Sequence, residues 1–185
     1  MLSKSVIAWS LGPLICFEPD GSYRLSITDN SLSSEYAGGE EVPFLEALKP
    51  IKLDCCSYHY EFEIQSNAEV YIGLKAGNKR FYYDSSKGNT VHTGVAITKV
   101  DSVTKIKIVN GDIVGCQLKK IDELPYHTVN FTVNGTNVGD QAYIDLSLMF
   151  RPFIEFQKSN EEGKIRANFG QADFKFKEKG KNVVS

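Results

Sequence analysis

The sequence predicts an all-β fold of the antiparallel sandwich or barrel class, and three observations carry that reading. Short runs rich in Val, Ile, Phe and Tyr recur along the chain, bounded by Gly, Asn, Asp and Ser. Several runs alternate apolar and polar residues with the two-residue period of a strand that is buried on one face. Helical signal is scarce: its best window is 42–48, where Pro43 and Pro50 leave no room for a long helix.

Residues 58–64, YHYEFEI, give the clearest strand. Tyr58, Tyr60, Phe62 and Ile64 point to one side, while His59, Glu61 and Glu63 point to the other, where the two glutamates are expected to be solvated. The next run, EVYIGLK, sets Val70, Ile72 and Leu74 on one face, with Gly73 keeping the other side shallow. Residues 105–109 alternate Lys with Ile and stop at Asn110-Gly111-Asp112. DIVGCQL follows as a core strand through Val114, Cys116 and Leu118. Val129, Phe131 and Val133 then lead into Asn134-Gly135, the strongest short hairpin signal, because a type I′ turn needs positive φ at both central residues. RPFIEFQ (Pro152, Ile154, Phe156) and KIRANFG (Ile165, Ala167, Phe169) close the series, with a polar turn over 160–163. No internal repeat, low-complexity segment or linker interrupts the chain. Residues 1–177 are therefore expected to form one domain, and 178–185 a disordered tail.

The bulk properties exclude several classes. The chain has 185 residues, 42% hydrophobic and 24% charged, with a formal net charge of -2, which places it among ordinary globular proteins. Lys and Arg are scattered, without the basic stripe that meets phosphates, so nucleic acid is not an expected partner. No apolar run reaches the ~18–20 residues of a membrane-spanning helix, so no membrane partner is expected either. Gly12-Pro13 breaks the apolar start, which reads as two short strands rather than a signal peptide. Cys16, Cys55, Cys56 and Cys116 form no disulfide pattern, and His59, His92 and His127 lack metal-ligand spacing. No metal or cofactor is expected, and buried thiols point to a reducing compartment. Asn130-Phe-Thr and Asn134-Gly-Thr match the glycosylation pattern, which matters only in a secreted protein. There is no nucleophile elbow, phosphate-binding glycine loop or His-Glu-x-x-His, so the chain is not expected to be an enzyme.

Six segments in order resemble the SPRY domain family: YHYEFEI (58–64), YIGL (71–74), GDIVGC (111–116), NFTVNG (130–135), FRPFIEF (150–156) and ANFGQADFKF (167–176). Trp9-Ser10 and LSSEYAG (32–38) are similar to the family's amino-terminal extension, and the ANFGQ segment is most similar to the Ran-binding protein M type. One stretch departs: RFYYDSSKGNTVHTG (80–94) replaces the family's Trp-Asp and Tyr-Gly-Tyr-His segments, with Tyr83-Asp84 in the place of Trp-Asp. The resemblance implies a two-sheet sandwich of the SPRY or concanavalin-like jelly-roll type. It further implies that rim loops bind a peptide or folded protein partner, as a substrate receptor or scaffold in a ubiquitin-ligase-type assembly. A monomer in the cytoplasm or nucleus is expected, with export as an effector the other possibility.

The family's general layout implies that three loops converge: 36–41, 78–84 and 157–160. Within the second, Arg80, Phe81, Tyr82 and Tyr83 form the candidate peptide clamp, an Arg beside three rings able to stack and hydrogen-bond. The competing reading packs two of those rings inward along a continuing strand. Tyr36 and Lys158 join the candidates by position. A lectin-like sandwich binding carbohydrate through calcium is the alternative, with Asp101, Asn110 and Asp112 as its ligand candidates.

Overall fold

A computed structural model describes residues 9–11, 25–28, 33–36, 44–47, 50–51, 57–99, 105–122, 124–157, 163–169 and 173–176. Strands dominate. In chain order they are β1 (Trp9–Leu11), β2 (Leu25–Thr28), β3 (Ser33–Tyr36), β4 (Phe44–Ala47), β5 (Ser57–Ile64), β6 (Val70–Ala76) and β7 (Lys79–Asp84). They continue as β8 (Asn89–Thr93), β9 (Ala96–Lys99), β10 (Ile113–Lys120), β11 (His127–Val133), β12 (Thr136–Ile144), β13 (Arg151–Phe156) and β14 (Gly163–Asn168). A 3-10 helix, Leu146–Leu148, links β12 to β13. One sheet runs β1-β4-β13-β6-β7-β8 and the other β2-β3-β14-β5-β10-β11-β12-β9, with antiparallel pairing throughout. Among the described residues no helix is long and apolar enough to cross a membrane.

The core lies between the sheets and is built by alternation. Tyr60, Phe62 and Ile64 of β5, Val114, Cys116 and Leu118 of β10, and Phe131 of β11 meet Ile72, Leu74, Phe81, Ile154 and Phe156 of the opposing sheet. Burying each large side chain stabilises the fold by about 1.5–3 kcal/mol. The Tyr60 hydroxyl bridges the layers by donating to the Gly73 carbonyl at 2.9 Å. Phe169 packs on the Tyr60 and Phe62 rings, with centroids 5.8 and 6.1 Å away. Cys116 is a free, buried thiol, pushed up to about 12 chiefly by burial.

The Asn134-Gly135 turn has φ of 49° and 79°, the two positive values a type I′ hairpin requires, and it joins β11 to β12. The open side of the sandwich is closed at a bulge in β12. There Gly139 (φ 68°) lets Thr90 of β8 approach, and the Thr90 hydroxyl accepts the Asp140 N–H at 2.8 Å.

Three local expectations are corrected. The helical window contains β4 instead, because pairing with β1 and β13 on both sides outweighs local propensity. Residues 105–109 form no strand. Ile106 and Ile108 still pack on the core, held by single bonds from Tyr83 Oη to the Ile106 carbonyl and from the Ile108 N–H to the Ser85 carbonyl. Glu61 does face away from the core but is 4% exposed, because residues 173–176 lie over it. Cys16, Cys55, Cys56, Asp101 and residues 178–185 lie outside the described residues.

Candidate functional site

The candidate clamp begins right after the tight Gly77-Asn78 turn, where Ala76 pairs with Lys79. What was expected to be a loop is therefore an interior strand, β7, bonded to β6 on one side and β8 on the other. Alternation divides its side chains. Phe81 and Tyr83 point inward and are 0% exposed. Phe81 stacks on Phe131 at 5.2 Å, and the Tyr83 hydroxyl donates to the Ile106 carbonyl at 2.6 Å. Burial pushes the Tyr83 hydroxyl up to about 12. Neither ring is available to a partner, so both are removed from the candidate clamp and assigned to the core. Asp84, also buried, ends the strand by accepting the N–H groups of Ser86 (3.0 Å) and Lys87 (3.1 Å).

Arg80 and Tyr82 face outward. The Arg80 guanidinium lies 4.9 Å from the Tyr82 ring centre and 4.7 Å from that of Phe153, and it pairs with Glu155. Phe153 points away from the core yet is 0% exposed, roofed in part by Arg80. Gly73 separates Phe153 from Tyr82 in the register, and a Cβ there would come within 2.6 Å of Tyr82 Cβ, so the two rings converge over it at 6.1 Å. Tyr82 also meets Tyr71 at 4.7 Å. The group is a self-paired platform on the sheet, with its cation already engaged.

The other candidates do not join it. Tyr36 ends β3 in the eight-stranded sheet, opposite Gly163. That end of the sandwich also carries Gln157, whose N–H bonds the Glu69 carbonyl. Arg80 lies toward the opposite end, beside the 77–78 turn. Lys158 lies outside the described residues. Asp112 is occupied by its own turn and by the β11–β12 turn, accepting the Val109 N–H and the Asn134 side-chain amide at 2.8 Å each.

The end that carries the 77–78 turn holds a cavity of about 420 Å³. Its walls come from four stretches: Lys79 after the β6–β7 turn; Gly94, Val95 and Ala96 at the β8–β9 corner; Tyr126 before β11; and Tyr143, Ile144, Asp145, Leu148 and Phe150 from the end of β12 to the start of β13. Phe150 is 0% exposed and lines the inner side. Asp145 caps the 3-10 helix by accepting the Ser147 N–H at 2.9 Å, and the Ser147 hydroxyl, followed by that N–H, holds its carboxyl below the usual range, with a smaller lowering from Lys79. Met149 ends that turn with φ 57° and is 63% exposed. Tyr126, Tyr143 and Leu148, 40–42% exposed, border the opening. Gly94 (φ 64°) leaves room for the Lys79 stem, whose Cγ would lie 3.2 Å from a Cβ there. None of these lining residues was among the sequence candidates. A signal was present, however: Tyr126 and Leu148 are large apolar residues outside any alternating run.

Two antiparallel sheets stacked in this order over one aromatic core define a concanavalin-like β-sandwich with the fold of SPRY domains. The SPRY domain of human HERC1 superposes with a TM-score of 0.57 at 16% identity, covering 82% of this chain and 97% of that domain. A second human SPRY domain gives 0.60 at 16% identity, covering 82% and 99%. The likeness is one of fold. No protein-family model and no curated protein matches the sequence.

Proposed function

We propose that this chain is a protein-interaction module that holds a peptide segment of a partner in the cavity between Lys79, Val95, Tyr126, Tyr143, Asp145 and Leu148. One observation carries the reading. Six large apolar side chains are exposed among the described residues, and three of them, Tyr126, Tyr143 and Leu148, line this cavity. Apolar surface gathered at one concave place marks a binding site, whereas the same residues scattered singly would mark nothing. The volume suits one or two inserted side chains. Tyrosines contribute large contact area at low entropic cost, and connections pinned between paired strands lose little freedom on binding. Lys79 and Asp145 supply one charge of each sign to orient the segment.

The resemblance to SPRY domains, and to the Ran-binding protein M type among them, supports a finer version of this proposal. In it the captured partner is brought to a ubiquitin-ligase-type assembly in the cytoplasm or nucleus. Peptides selected by phage display on the intact chain provide the test. Tyr143→Ala with Leu148→Ala should weaken their binding at least ~10-fold, about 1.4 kcal/mol, while Arg80→Ala leaves it within ~2-fold. Peptides that bind the double variant normally but fail on Arg80→Ala would move the site to the outward platform of β7.

A further inference from the structure

The outward face of the eight-stranded sheet is polar by alternation, yet part of it is buried. Glu61 and Thr132 are each 4% exposed and Gln117 8%. Part of the cover is the segment 173–176, which is held much as a bound peptide would be. The Glu61 carboxylate accepts the Lys175 N–H at Oε2 and the Phe176 N–H at Oε1, each at 3.0 Å. Lys175 Nζ lies 3.3 Å from Glu63. The Phe174 ring stands edge-on to His59 at 4.5 Å. Phe176 lies against Gly135, where a Cβ would come within 2.9 Å of the ring.

We propose that this face is a second peptide seat, occupied in cis by Phe174-Lys175-Phe176. A partner segment with an aromatic–basic–aromatic motif takes the seat when that strap leaves. The floor explains why the strap is able to leave. Beneath it lie the Glu61 and Glu63 carboxylates and the His59 imidazole, which water satisfies, while the apolar core stays sealed on the opposite side of the sheet. The strap is not in a strand, so no ladder breaks on release. Recognition also reads as a motif. Each ring has its own receptor, Glu63 faces the basic middle residue, and Glu61 reads two backbone N–H groups whatever side chains they carry. The tethered strap competes at an effective concentration of roughly millimolar, so the seat opens to partners only when the strap is weakened.

The test uses the full chain and a fluorescein-labelled peptide with the sequence of residues 168–179. Phe174→Ala with Phe176→Ala in the chain should tighten peptide binding at least ~10-fold over wild type, reversed by Glu61→Gln and by replacing both peptide phenylalanines with alanine. A double variant with wild-type circular dichroism that binds the peptide no better than wild type overturns the proposal. Hydrogen exchange on the wild-type chain is an independent measurement of the same opening. The Lys175 and Phe176 amides should exchange through a local opening well below the free energy of global unfolding. If they exchange only with the core strands, the strap is a fixed part of the sandwich and the seat does not exist.

Discussion

The Phe81 ring, 0% exposed and stacked on Phe131, leaves a cavity when truncated, so Phe81→Ala is expected to cost about 3–5 kcal/mol in denaturant unfolding. Arg80→Ala, one residue earlier, removes a partly exposed ion pair and some cover over Phe153, and is expected to cost about 1 kcal/mol. Equal costs would contradict the facing assigned to β7. Tyr83 adds a pH signature. Its hydroxyl is pushed up to about 12 chiefly by burial, and the Asp84 charge adds to the rise. The folded state therefore disfavours the phenolate. The stability Tyr83 contributes is complete below the unfolded value of about 10 and is lost as pH rises from there toward 12. Denaturant midpoints measured across that window should fall more steeply in wild type than in Tyr83→Phe. In the sequence, RFYY shows its composition but not its facing. Reading 78–84 as a loop hid the alternation, and only the two-residue turn at Gly77-Asn78 makes Arg80 and Tyr82 one face and Phe81 and Tyr83 the other.

At the scale of elements, local chemistry decides turns, and tertiary pairing decides what lies between them. Asn134-Gly135 is legible because positive φ at two successive residues is a demand on residue type alone. The window 42–48 is not, since β4 exists only by pairing with β1 and β13, whose positions no local pattern reveals. Glu61 illustrates the same limit. Its outward facing follows from the period of β5, but its burial depends on a segment more than 100 residues further along the chain. That contact carries a pH dependence of its own. Burial alone would raise the Glu61 carboxyl, but hydrogen bonds from His59 and from the Phe176 and Lys175 N–H groups outweigh it and hold the carboxyl below its ordinary range. The anchoring of 173–176 should therefore be complete above the usual glutamate pKa of about 4.3 and fade as pH falls through the lowered value. Protection factors of the Lys175 and Phe176 amides, compared at about pH 6 and about pH 3, should drop in wild type. In Glu61→Gln they should be low at both. Protection unchanged by pH in wild type would remove Glu61 as the anchor.

Across the whole molecule, one core serves both sheets, and this separates what function varies from what folding fixes. The end cavity is assembled from strand ends and connections at one end, and the proposed 173–176 seat from the outward face of one sheet, so neither borrows side chains from the central stack of Tyr60, Phe62, Phe81 and Phe131. The fold class was legible in the sequence for the same reason. Alternation over β5, β6, β10, β11, β13 and β14 is imposed by that shared core, whereas the cavity depends on how four distant stretches meet. A core shared in this way should unfold as one unit. Cys116 on β10 is 0% exposed and packs within it, so its alkylation requires the sheets to part. Mass spectrometry of the Cys116-containing peptide after thiol labelling in graded denaturant should give the same midpoint as far-ultraviolet circular dichroism. Labelling of Cys116 at distinctly lower denaturant would mean that the eight-stranded sheet opens while the other persists. The end cavity, whose walls are drawn from both sheets, would then lack the rigid frame that peptide capture requires.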